Sequence, residues 1–182
     1  MEFLLHIDRQ LFLAINHLPH TGALNLLALF LSGVGTAGIV WFILAVVLFL
    51  REERKDHLFF LPVVAAGSGS WLMVELLLKP LIGRLRPDAL MGAIIVGSPS
   101  DGFSLPSGHA TIAWAMAVVL AHKEPKVQWL LYGLAMLISL SRIFLGKHFP
   151  LDVVTGAGIG WGIGVVSILL SHKIISTIRT QK

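Results

Sequence analysis

LSRIFLGKHFPLDVVT, residues 140–155, sets Arg142, His148 and Asp152 between two long apolar runs. Ionisable groups beside membrane-grade hydrophobic segments are costly, and they are functional by default. Pro150 suits the first turn of a helix, where its missing N–H is no loss. Asp152 then falls in that same turn and can reach back to His148. A carboxylate bonded to one ring nitrogen fixes the tautomer and leaves the lone pair of the other nitrogen free to attack. A plain polar cap over a helix–helix connection would account for neither His148 nor Arg142.

Outward from this stretch the chain stays apolar. Residues 127–140, extending to 144, precede it, and residues 151–170 follow it. Further upstream lie runs at 35–50, 58–78 and 107–121. A membrane span needs about 20 residues. The shorter runs therefore extend into flanking residues, or the site is sunk below the membrane surface. No run alternates with period two over its length, which argues against strands. Hydrophobic residues make up 55% of the chain and charged residues 13%, against a usual charged share of about 25%. The expected fold is all-α: a polytopic transmembrane helix bundle of about five spans, or six if residues 3–33 contain one. Residues 1–182 form a single membrane-embedded domain, with residues 79–152 carrying the charged motifs.

Residues 3–18 place Phe3, Leu4, Ile7, Leu11, Ile15 and Leu18 on one helical stripe, interrupted by Asp8, Arg9, Asn16 and His17. An Asp–Arg pair at the bilayer centre would be expensive. An amphipathic helix lying in the interface is expected over residues 1–20, with a short first span as the alternative. Residues 22–33 are too short to cross alone; they lie half-inserted or extend the next run. No basic region precedes the apolar N-terminal part, so a cleaved signal peptide is not expected.

With no cysteine there is no disulfide, no thiolate chemistry and no Cys-based zinc site. The net charge of +4 comes without a basic run interleaved with aromatics, so nucleic acid is not an expected partner. No His/Asp/Glu cluster has ligand spacing, and neither metal nor cofactor is expected. His6, His17, His20, His57, His122 and His172 fall in loops, interfaces or span ends and receive no chemistry. The loop cations set orientation. One side receives Arg51, Arg54, Lys55, Lys123, Lys126, Lys173, Arg179 and Lys182. The other receives Arg9, Lys79, Arg84, Arg86, Arg142 and Lys147, most of them in motifs where chemistry explains them. The first side is then cytoplasmic and the motifs face outward. Gly156, Gly160 and Gly164 recur every fourth residue, which lets helices approach closely. Packing within one chain is the first use of that stripe, and a homodimer through it is the second.

Two more charged stations complete the set. Lys79, Arg84 and Arg86 close an apolar run with no acid among them, and such a cluster suits an anion. Arginine presents a planar fork to phosphate and lysine adds a compact charge. Span-end cations reaching for the interface are the plainer alternative. Glu75, one turn earlier, pairs with Lys79. Further on, Pro106-Ser107-Gly108-His109 opens an apolar helix. Ser107 is a good N-cap, Gly108 lets the backbone approach a ligand, and free N–H groups at a helix start bind phosphate oxygens. His109 then lies beside the bound anion as a general acid, its protonated form favoured by the phosphate.

Together the stations read K-x6-R-P, then P-S-G-H, then S-R-x5-H-x3-D. The pattern resembles the type 2 phosphatidic acid phosphatases, the lipid phosphate phosphatase superfamily. It runs Lys79…Arg86-Pro87, Pro106-Ser107-Gly108-His109 and Ser141-Arg142…His148…Asp152. The resemblance implies a metal-independent hydrolase. Lys79, Arg86 and Arg142 would bind the phosphate, with Ser107 and Gly108 completing the cradle. His148 would attack phosphorus and form a phosphohistidine, Asp152 would orient it, and His109 would protonate the leaving oxygen. It also implies a lipid-phosphate substrate at the outer face of a bacterial plasma membrane. Undecaprenyl diphosphate, phosphatidylglycerol phosphate, phosphatidate and lipid A 1-phosphate are the candidates. The loop 88–104, with Asp101 and Phe103, is expected to form the mouth. Transfer of the phosphoryl group to a lipid acceptor, and a non-catalytic lipid-phosphate carrier, are the rival functions.

Overall fold

In the computed structural model of the chain, residues 2–51 and 57–180 are described. The charged segment 52–56, with Arg54 and Lys55, and Lys182 lie outside them. Among the described residues every regular element is helical. In order these are α1 (Glu2–Asn16), α2 (Gly22–Gly35), α3 (Ile39–Arg51), α4 (Leu61–Trp71), α5 (Lys79–Ile82), α6 (Gly108–Lys123), α7 (Gln128–Phe144) and α8 (Pro150–Thr180). A π-helical segment, Leu72–Leu78, joins α4 to α5, so Leu58–Ile82 is one helical span of 25 residues.

Three helices among the described residues are long and apolar enough to cross a membrane: Leu58–Ile82, Pro125–Phe144 and Pro150–Ile178. α2 and α3 would make a fourth as one span bent by 66°. Residues 22–33 lie on α2, set off from the following run by that sharp bend.

α6 is the axis. It is apolar on all sides, and a helix of that kind belongs in the interior. Residues from Ala110 to Ala121 are almost all buried, although the helix has only 16 residues. The glycine stripe of α8 is what lets it sit so close. A Cβ at Gly160 would lie 2.2 Å from Thr111 O, one at Gly156 2.7 Å from Ser107 O, and one at Gly164 2.8 Å from Ala115 O. Gly156, Gly160 and Gly164 are therefore taken up by packing inside the chain. A homodimer through them, the second use read from the sequence, would need a face that α6 already covers.

α1 is amphipathic, with its polar face turned toward the rest of the chain. Its apolar stripe does face outward: Phe3, Leu4, Leu11 and Leu18 are exposed. Its opposite face is not left to water. Asp8, Phe12 and Asn16 are buried against the rest of the chain. Asn16 donates to Ile94 O and Phe144 O, each at 2.9 Å, and accepts from Ile94 N at 2.8 Å. His17 and His20 also bond backbone oxygens, of Gly92 and Asn16. The polar residues that looked like interruptions are the docking groups.

Chain direction puts the three stations at one end of the bundle. The Leu58–Ile82 span ends there, α6 and α8 begin there, and α7 ends there. At the other end Lys123 Nζ lies 4.0 Å over the Phe59 ring, and His122 and His172 face each other at 5.3 Å.

Candidate active site

The first station begins on the π segment. Lys79 N–H donates to Val74 O, five residues back. Such wide turns inside α-helices recur at functional sites, and here one directly precedes Pro80, which has no N–H to give. Lys79 Nζ meets Glu75 Oε1 at 2.6 Å, as the sequence suggested. Gly83, at φ +65°, ends the helix. The chain then runs extended, where alternate side chains share a face. Arg84 and Arg86 point inward, and Leu85 between them is 74% exposed.

The inward pair does not share a task. Arg86 Nη1 donates to Lys147 O at 2.9 Å and to His148 Nε2 at 3.1 Å, while its Nε reaches Asp101 O and Gly102 O. Burial lowers the Arg86 pKa from its ordinary value, and Asp152, Glu75 and Asp101 oppose that shift. Arg84 turns the other way, to Asp152 Oδ1 at 2.7 Å and Asp8 Oδ2 at 2.5 Å.

At the second station Ser107 caps α6, accepting from Ala110 N, as expected. Its own N–H donates to Asp152 O at 2.9 Å. Through that bond Ser107 ties the second station to the third. The first bond into the helix is Thr111 N to Ser107 O. The amides of Gly108 and His109 precede it and have no partner within the helix. A Cβ at Gly108 would lie 3.0 Å from Glu75 Oε1, so a side chain there would press on the Glu75–Lys79 pair. His109 Nε2 is 3.4 Å from Thr36 Oγ1.

At the third station Gly146 turns the chain at φ +72°, where a Cβ would be 2.5 Å from Ile94 O. His148 follows, 2% exposed. An arginine N–H can only donate, so Nε2 of His148 is the acceptor and Nδ1 carries the proton. Nδ1 faces Asp152 Oδ2 at 3.5 Å, longer than a hydrogen bond. That carboxylate oxygen also accepts from Phe149 N at 2.8 Å. The predicted His148–Asp152 pairing is present in orientation but loose in length. Burial pushes the His148 imidazole down to about 4; Arg86 and Arg142 act in the same direction and Asp152 opposes them. The ring is neutral near pH 7, as a nucleophile requires. Arg142, buried, bonds Ser32 Oγ on α2, and its Nε has no hydrogen-bond partner among the described residues. Lys147 donates to Ser98 O at 2.5 Å and so anchors the loop 88–104.

A cavity of about 450 Å³ gathers Lys79, Arg86, Gly108, His109, Arg142 and His148 on one wall system, with Glu75, Trp71 and Ser100. Ser107 and Asp152 stand behind it. Six of the eight residues selected from the sequence line a single space. Sequence reading passed over Trp71, Ser100, Ser32 and Thr36, which carry no motif, and gave Asp8 no role at the site. Among the described residues no group of three or more His, Asp or Glu could hold a metal ion.

The sequence pattern of the PAP2 superfamily matches residues 57–176. The chain belongs to the PAP2 superfamily. An undecaprenyl-diphosphatase of Sulfolobus acidocaldarius is 34% identical over 92% of this PAP2 protein and 78% of its own length. A lipid A 4'-phosphatase of Bacteroides thetaiotaomicron is 30% identical over 100% of this chain and 84% of its own. Among solved structures, the transmembrane PAP2-type phosphatidylglycerolphosphate phosphatase of Bacillus subtilis superposes with a TM-score of 0.73. It covers 96% of this chain and 89% of that one at 23% identity, a likeness of fold. This PAP2 protein is a membrane phosphatase.

Proposed function

We propose that this enzyme hydrolyses a lipid phosphate or diphosphate without a metal ion, through a phosphohistidine on His148. The observation that carries the reading is the position of His148 Nε2. It is on the cavity wall, held by Arg86, in a space shared with Lys79, Arg142, His109 and the start of α6. An arriving phosphate offers Arg86 a better acceptor than a neutral ring nitrogen, and Nε2 is then released toward phosphorus. Its lone pair forms the N–P bond as the bond from phosphorus to the leaving oxygen breaks. His109 gives that oxygen a proton. Neutral His109 next takes a proton from water, whose oxygen attacks the phosphohistidine; the P–N bond breaks and its electron pair returns to Nε2. The three cations and the Gly108 and His109 amides stabilise the equatorial oxygens throughout, the role a divalent ion fills elsewhere.

The substrate is a lipid because the site sits at the end of membrane-capable helices. Undecaprenyl diphosphate heads the list on the strength of the Sulfolobus relative. Phosphatidylglycerol phosphate, phosphatidate and lipid A 1-phosphate follow. Among the described loop cations, Arg51, Lys123, Lys126 and Lys173 gather at the end opposite the site, which favours an active site on the extracytoplasmic face of a bacterial plasma membrane.

The test is phosphate release from those four lipids by the purified protein in detergent. Hydrolysis that vanadate inhibits and EDTA spares is the expected outcome, with an acid-labile phosphoenzyme that His148→Ala lacks. Substrate phosphate lost without free phosphate would indicate transfer to a lipid acceptor. Lipid binding with no phosphate chemistry would leave only a carrier.

A further inference from the structure

Of the three cations in the first station, Lys79 and Arg86 line the cavity and Arg84 does not. Arg84 lies behind His148, with its guanidinium 4.3 Å from the centre of the Phe149 ring. It is the bridge between two buried carboxylates, Asp152 on α8 and Asp8 on α1. Asp8 is spent fully: Oδ2 accepts from Arg84, and Oδ1 accepts from Leu151 N at 2.7 Å, in the same helical turn as Asp152. α1 lies outside the residues matched by the family pattern.

The geometry points to Asp8 and Arg84 as positioning residues for His148, acting through Asp152. The inference rests on His148 being the nucleophile. Asp152 has two oxygens and three claimants. Oδ1 is held by Arg84, and Oδ2 by Phe149 N, which leaves Oδ2 at 3.5 Å from His148 Nδ1. Arg84 thus sets both the place of the carboxylate and how much of its negative charge His148 feels. Two buried acids sharing no cation would repel each other. Arg84 between them offsets part of that repulsion, and Asp152 orients the ring without taking its proton. Asp8 in turn keeps Arg84 turned away from the phosphate cavity, where it would compete as a fourth cation.

The experiment compares Asp8→Asn, Arg84→Gln and the double variant with the wild-type full-length protein in detergent. The amide oxygen introduced by Asp8→Asn still accepts from Leu151 N, so the helix tie survives while the ion pair is lost. Each single variant is expected to lower kcat about 10- to 100-fold, with KM and vanadate inhibition changed less than about 3-fold. The double variant should be no worse than Arg84→Gln alone, because the two residues act as one unit. With the Arg84 cation gone, Asp152 is uncompensated and the acid limb of kcat/KM should move to higher pH. The groups that face His148 and set that limb are Arg86, Arg142, His109 and Asp152.

Raised KM and weakened vanadate inhibition in Arg84→Gln would make Arg84 a phosphate ligand and end the proposal. So would a kcat within about 2-fold of wild type in a protein of unchanged melting temperature. Asn16→Ala supplies the structural control, since it loosens the same helix without touching Arg84. Equal losses of kcat in Asn16→Ala and Arg84→Gln at equal losses of melting temperature would reduce the pair to scaffolding. His148→Ala in the same preparation keeps the two readings apart. Its inactivity preserves the nucleophile whichever way Arg84 falls, and its activity removes the ground for both.

Discussion

His148 has two environments, one at each ring nitrogen. On the Nε2 side Lys79, Arg86 and Arg142 line a cavity with Glu75 the acid beside them, and positive charge is in excess. On the Nδ1 side Asp152, Arg84 and Asp8 alternate in sign, with Arg84 bonded to both carboxylates. The front carries an excess of positive charge, while on the back the carboxylate oxygens already have donors. An unfinished cationic site waits for an anion, and the cost of gathering its charges is recovered when phosphate enters. A network whose carboxylate oxygens already have donors resists change, which suits a group that holds the His148 ring in place. The same residue types, arginine and carboxylate, serve opposite purposes according to whether their hydrogen bonds are already spent on each other before substrate arrives.

The comparison breaks first at the ring itself. His148→Ala should lower phosphate release by about 10⁴- to 10⁶-fold, the scale of losing a nucleophile, with the melting curve of the folded protein retained. On the front side, His109→Ala should cost about 10²- to 10⁴-fold in kcat. A p-nitrophenyl phosphate substrate, whose leaving group needs no proton, should lose much less. Arg142→Lys keeps the charge but not the planar fork. It should raise KM and weaken vanadate inhibition by about 10- to 100-fold, the value of a charged hydrogen bond or two, while the pH limbs stay in place.

The smallest effect sharpens the contrast by pH. His148 protonates near 4 in the folded protein rather than at its ordinary 6.5, chiefly because it is buried. The acid limb of kcat/KM due to this ring should therefore lie near pH 4, which a profile on the free enzyme will read. The unfolded chain takes up this proton around 6.5. Its contribution to stability is complete above that value and is lost as pH falls toward 4, a decline that melting temperatures across this window will record.

Much of the front side was legible in the sequence. Lys79, Arg86, Gly108, His109, Arg142 and His148 are costly in an apolar chain, and their spacings carry a family pattern, so chemistry and resemblance agreed on them. Ser107 caps α6 as read, but its N–H goes to Asp152 O, a bond between distant segments that no local rule reveals. The back side was mostly invisible. Asp8 looked like a polar break in an interfacial helix, since hydrophobic periodicity reports where the lipid is and not what lies on the other face. Arg84 stood in the sequence only as one of a cluster of cations suited to an anion, and its partners show that it turns to carboxylates instead.

By itself the sequence determined the solvent and the reaction. Long apolar runs admit only helices in a bilayer, and ionisable groups that survive beside them must repay their desolvation through function. The tertiary structure alone decided which charges meet one another. Helix α1 reaches Asp152 through Arg84, and the glycines of α8 press on α6 instead of a second copy. Those outcomes depend on contacts between segments far apart in the chain, where orientation and mutual burial, not local spacing, set the energy.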